Sequence, residues 1–186
     1  MKRLVIGITG ASGIIYGIRL LEMLAETDIE THLVVSKAAE MTLAYETDLK
    51  PQALRDLARV YHPASDVGAS IASGSFLTMG MIIAPCSIRS MSEIATGVTT
   101  SLLSRAADVV LKERRRLVLA VRETPLHAGH LRTMAALSDL GAIIAPPVPA
   151  FYTRPQSIDD LVDHTASRLL DPFDIDTGRI RRWKNE

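Results

Sequence analysis

The sequence predicts an α/β domain built on a single doubly wound parallel sheet. Three observations lead there. Short apolar runs alternate with segments of helical spacing, a glycine-rich turn follows the first run at once, and every other run ends in residues suited to a ligand edge. At 186 residues the chain has the length of one domain, read as 1–186 with a C-terminal tail from about 171.

Five runs read as buried strands: Arg3–Ile8, Thr31–Val35, Gly80–Ala84, Arg116–Val121 and Ala142–Ile144. Between them Ile15, Ile18, Leu21 and Leu24, and later Leu102, Leu103, Ala106 and Val110, recur at the period of a helix. Residues 62–75 are small and polar and read as the loosest stretch. Pro146-Pro147-Val148-Pro149 reads as a stiff extended connection into a last helix over Ile158–Leu170.

The composition narrows the function. Lysine plus arginine equals aspartate plus glutamate at 21 each, so no overall field favours nucleic acid or an anionic membrane. No apolar segment is long enough to span a bilayer, and "GASG" interrupts the first apolar run too early for a signal peptide. Cys86 is the one cysteine, which rules out an intrachain disulfide and fits a cytoplasmic setting. Arginine outnumbers lysine 16 to 5, a bias that suits bidentate phosphate contacts.

Doubly wound sheets bind ligands outside the carboxyl ends of their strands. The residues expected there are Thr9, Gly10 and Ser12, then Ser36, then Pro85, Cys86 and Ser87, then Arg122 and Glu123, then Phe151 and Tyr152. The turn "TGASG" is not the dinucleotide motif, because Gly10, Gly13 and Gly17 miss its spacing. Ser36 also stands where a ribose-binding acid would end the second strand. What remains is a turn and a helix start able to hold one phosphate, or a turn of purely structural use. Ser36, and Ser87, Ser90 and Ser92 of "PCSIRSMSE", fit either ligand contact or helix capping.

Arg105 and Lys112, seven apart, share a helix face, either as a phosphate-binding pair or as a solvated stripe. Arg122-Glu123, stopped by Pro125, aims a cation and a carboxyl at one place or forms a surface turn. Cys86 reads as a packing residue and not a nucleophile. His127 and His130, three apart on a helix, lack a third ligand, so no metal is expected. Arg168 and Trp183 carry no chemistry on spacing alone.

The ordered set "TGASG", "SKAA", "ETD", "ASGSF", "PCS", "RAADVVLKERR", "VRETPLH", "PPVPAFY" and "RPQS" resembles the UbiX flavin prenyltransferase family from Lys2 to about Trp183. The resemblance implies a flavodoxin-like, Rossmann-like three-layer fold and a homododecamer with sites between subunits. It implies an enzyme that joins a dimethylallyl group from dimethylallyl monophosphate to N5 and C6 of reduced FMN. The prenylated FMN would serve UbiD-type decarboxylases in ubiquinone or aromatic-acid metabolism. The rival readings are an FMN-dependent decarboxylase of the same fold and a non-catalytic flavin carrier.

Carried over residue by residue, the resemblance places FMN on Gly10, Ala11, Ser12, Ser36, Ser87, Ile88, Arg89, Ser90 and Arg122. It places the donor phosphate on Arg105, Lys112, Tyr152 and Arg168. Ser12, Glu46, Lys112 and Glu123 are then the catalytic groups, with Glu123 as acid–base and Ser12 orienting N5. No aspartate-rich magnesium motif accompanies them. The chain departs from the family's pattern at Thr100-Ser101, where Asp-Asn is common, and in "SIRSMSE".

Overall fold

A computed structural model of the protein describes residues 2–180, 182 and 183. Among these, six parallel strands form one sheet: β1 (Arg3–Ile8), β2 (Glu30–Val35), β3 (Val60–Pro63), β4 (Gly80–Cys86), β5 (Arg116–Val121) and β6 (Ala142–Ile144). Their order is β3-β2-β1-β4-β5-β6, so the winding reverses between β1 and β4. Of the expected tail, residues 181 and 184–186 lie outside the described set.

The strands bury both faces, which is why they read as continuous apolar runs. Leu4, Ile6 and Ile8 of β1 and Val118 and Ala120 of β5 point to one side. There they meet α1 (Ile14–Ala25), α2 (Lys37–Glu46), α3 (Pro51–Asp56) and α7 (Ile158–Leu170). Val5, Met81, Ile83, Leu117 and Leu119 point to the other, against α4 (Ile88–Ala95), α5 (Leu102–Lys112) and α6 (Ala128–Asp139). On the first side Arg19 of α1 pairs with Asp159 at 2.8 Å and with Asp163, tying α1 to α7.

Two sequence expectations need correction. β3 was not expected, because its four residues carry two polar groups and end in Pro63. An edge strand tolerates that proline, having a neighbour on one side only. The segment read as loose from His62 therefore begins inside the sheet, and it holds a 3-10 turn at Ser70–Ala72 that buries Ile71. In addition, β4 runs to Cys86 and not Ala84, with a register shift around Pro85, which has no N–H to give to the ladder.

Candidate functional site

The reversal between β1 and β4 opens the crevice where such sheets bind ligands, and Thr9 closes its floor. Its buried hydroxyl donates to the Pro85 carbonyl at 2.8 Å and accepts from the Ser87 amide at 2.7 Å. The ends of β1 and β4 are thereby joined, and the Ser36 amide donates to the Ile8 carbonyl at 2.9 Å to draw in the end of β2.

The glycines of this edge have three distinct duties. A Cβ on Gly10 would lie 2.4 Å from the Cβ of Ala38, so only glycine lets the loop approach α2 this closely. Gly13, the residue before α1, has φ 97°, a left-handed conformation that disfavours a side chain. A Cβ on Gly17 would lie 2.5 Å from the Ala84 carbonyl, so glycine sets the packing of α1 on β4. These are the duties of the dinucleotide motif, met at a different spacing.

Gly13 has no side chain to cap α1, and Glu46 does so from the last residue of α2. Its carboxylate accepts from the amides of Gly13 at 2.8 Å and Ile14 at 3.0 Å. Partial burial works to raise its pKa. The Ser12 hydroxyl, the two amides and the charge of Arg122 outweigh that and hold the carboxyl below its ordinary value. Of the two readings of this turn, phosphate holder or structural turn, the geometry gives the amides of Gly13 and Ile14 a partner within the chain, the Glu46 carboxylate.

Other helix starts remain available. Ser36 caps α2 by accepting from the Ala39 amide, Ser87 caps α4 through the Ser90 amide, and Ser101 caps α5 in a capping box with Ser104. All three starts line one cleft of about 360 Å³, together with Gly10, Arg89 and Thr100. Their positive ends favour an anion there. Capping is thus a real task of Ser36 and Ser87. The departure at Thr100-Ser101 keeps a good cap, serine serving where asparagine is common. Arg89 is exposed at the rim and pairs with Glu93 at 3.0 Å, and Ile88 is half-buried beside it. Cys86 is wholly buried and its thiol is pushed up to about 12, so it holds its proton at neutral pH.

The remaining residues lie elsewhere in the single chain. Arg122 follows β5 and acts on Glu46 and on Tyr16, whose phenol is raised by burial against the pull of that guanidinium. Glu123 is exposed and accepts from the Thr124 amide. Lys112 sits in the last turn of α5, next to the start of β5, and pairs with Glu113 beside Gly74. A strand of six residues puts it about 20 Å from Arg122. Arg105 lies two turns nearer the cleft, holding Asp108 at 2.8 Å and the Ala72 carbonyl at 3.2 Å.

On the α7 side, the Tyr152 hydroxyl lies 2.8 Å from Nε2 of His164, and its ring meets the edge of Trp183 at 5.2 Å. Arg168, one turn past His164, pairs with Asp171. The expected single helix bearing both His127 and His130 is also corrected. His127 precedes α6 and caps it, accepting from the amides of Gly129 and His130. Among the described residues no three His, Cys, Asp or Glu side chains gather as metal ligands.

Comparison with known proteins settles the family. The flavoprotein family matches residues 1–170. The chain is 61% identical to the flavin prenyltransferase UbiX of Escherichia coli K12, over 99% of each chain. It belongs to the UbiX flavin prenyltransferase family.

Solved structures of similar proteins agree. The crystal structure of AnUbiX (PadA1) in complex with FMN and dimethylallyl pyrophosphate matches with a TM-score of 0.98 and 50% identity, covering 100% of this chain and 98% of that one. A dodecameric FMN-dependent UbiX-like decarboxylase from Escherichia coli O157:H7 matches at 0.96 with 46% identity, over 98% of this chain and all of that one. The residues of this UbiX-family chain fit a flavin mononucleotide. Ser36 follows β2 where a ribose-binding acid would stand, Gly10 lets the loop lie close against α2, and capped helix starts line the cleft. The sequence did not single out His164. The i,i+4 spacing of His164 with Arg168 was the one available signal.

Proposed function

We propose that the chain transfers a dimethylallyl group from dimethylallyl monophosphate to N5 and C6 of reduced FMN, releasing phosphate. The observation that carries the reading is the cleft at the β1–β4 reversal, built for a mononucleotide, in a chain of this family. Reduced FMN supplies the nucleophilic N5 and the ring carbon C6. The chain's own part is to hold the reactants, stabilise the leaving phosphate and move a proton.

Gly10, Ala11 and Ser12, Ser36, Ser87 to Ser90 and Arg122 hold the flavin in this reading. Arg105, Lys112 and Arg168 stabilise the charge that grows on the phosphate as its C–O bond breaks, and Tyr152 donates a hydrogen bond to it. One preorganised contact of this kind contributes about 3 kcal/mol, roughly a hundredfold in rate. Glu123 accepts the proton lost from the flavin ring carbon. Glu46, anchored on the start of α1, fixes the Ser12 hydroxyl that orients N5.

One chain holds Lys112 too far from Arg122 to serve the same site, so the proposal includes a site completed by other copies, in a homo-oligomer such as a dodecamer. The product would pass to a UbiD-type decarboxylase. A cytoplasmic setting belongs to the same reading, supported by the lone buried Cys86. No helix among the described residues is long and apolar enough to cross a membrane.

The test is direct. Purified protein, reduced FMN and dimethylallyl monophosphate, mixed without oxygen in excess chelator, give a flavin heavier by one prenyl group. Parallel reactions with the pyrophosphate identify the preferred donor. Release of carbon dioxide from an acid substrate would point to the decarboxylase, and binding of prenylated flavin without synthesis to a carrier. Dependence on a divalent cation would overturn charge stabilisation by side chains alone.

A further inference from the structure

The pair Tyr152–His164 poses a question of hydrogen direction. The phenol has one hydrogen, and His164 Nε2 lies 2.8 Å from its oxygen. A phenol that donates to the imidazole turns only lone pairs outward, and these repel phosphate oxygens. A phenol that accepts from the imidazole keeps its hydrogen for the phosphate. The state of His164 decides between the two.

His164 is buried, at 7% exposure, whereas Tyr152 is 45% exposed. Burial lowers the imidazole pKa first. The charges of Arg168 and Arg182 lower it further, against the opposing pull of Asp171. The ring is therefore neutral at pH 7 and carries a single N–H, so the tautomer is the remaining variable. His164 also lies one turn before Arg168 on α7, and both line a cleft of about 520 Å³ between α7 and the β5–β6 side of the sheet. One rigid helix thus sets the guanidinium and, through the imidazole, the phenol. The edge of Trp183 holds the Tyr152 ring from another direction.

We propose that His164 is a positioning residue for the transfer, donating its Nε2–H to the Tyr152 oxygen so that the phenolic hydrogen points to the donor phosphate. The inference rests on the proposed role of Tyr152 and deepens it. In this role His164 acts through the phenol.

The experiment compares Tyr152→Phe, His164→Phe, His164→Gln and the double phenylalanine variant. It reads KM and kcat for dimethylallyl monophosphate and calorimetric affinity for that donor with oxidised FMN present. FMN affinity measured alone reports on folding. Glutamine can place an N–H where Nε2 stands. His164→Phe is expected to weaken donor binding and raise its KM by about fivefold, the size of one hydrogen bond, with FMN affinity unchanged. His164→Gln should recover most of that loss, and the double variant should be no worse than Tyr152→Phe.

An impaired Tyr152→Phe beside a normal His164→Phe would overturn the role of His164 alone. A normal Tyr152→Phe would overturn the role of the phenol and, with it, this inference. Additive losses in the double variant would overturn the coupling. If His164→Phe fails to bind FMN, His164→Asn, whose shorter amide does not reach the phenol, takes its place. Asn and Gln variants with equal donor affinity would overturn the proposal.

Discussion

The edge at the β1–β4 reversal and the α7 side of the molecule are built by different means. At the reversal, backbone does the work. Thr9 joins two strand ends, glycines allow contacts that no Cβ permits, and Glu46 closes on two amides. On the α7 side, and at Lys112, side chains pair with nearby acids on a partly exposed surface: Arg168 with Asp171 and Lys112 with Glu113. Such exposed pairs contribute little to stability. The first region is organised within one chain, whereas the second keeps cations on weak, partly exposed partners. In the proposed reaction the first would hold the flavin and the second the leaving phosphate.

The largest expected effect tests whether the second region is shared between copies. Lys112→Ala and Arg168→Ala should each slow transfer by about a hundredfold, with FMN affinity nearly intact. Co-expression of Lys112→Ala with Glu123→Gln should restore activity to about a quarter of wild type, since mixed assemblies rebuild some intact sites. No recovery in assemblies proven to be mixed would place Lys112 and Glu123 in the same chain's site.

A second test strikes the backbone edge. Gly10→Ala brings a methyl group onto Ala38 and should cost about 1–3 kcal/mol by overpacking, together with loss of FMN binding. Denaturant unfolding and flavin titration measure both. A variant of normal stability that binds FMN normally would show that the loop is not pinned against α2.

Glu46→Gln gives a smaller effect with a defined pH dependence. Because the folded carboxyl titrates below its ordinary value of 4.5, its contribution is complete above that value. It is lost as pH falls from about 4.5 through the lowered folded pKa. The variant should be less stable than wild type at pH 7, and the difference should shrink in acid. Melting temperatures between pH 7 and 3 check the sign, and a constant difference across that range would remove the carboxylate from the capping role.

The smallest effect is expected at Cys86. With its thiol held protonated, Cys86→Ala should keep substantial transfer activity and lose about 1 kcal/mol of stability to the small cavity. A dead but folded variant would bring the thiol into the chemistry.

The sequence alone determined the sheet interior and the ligand edge. Val5, Ile6, Ile82 and Val118 lie in runs whose burial on both faces is written as unbroken hydrophobicity, and the residues following each run must fall on one edge of a parallel sheet. Helix starts at Ser36, Ser87 and Ser101 were equally local, since a cap depends on residues three apart. β3 was hidden, because a short edge strand needs little apolar pattern and tolerates Pro63. Only the tertiary structure decided that Glu46, 33 residues beyond Gly13, would cap α1. It alone joined Tyr152 to His164. A local pattern fixes which backbone groups need a partner. Which distant side chain supplies it depends on how the chain returns through space, and no spacing in the sequence records that path.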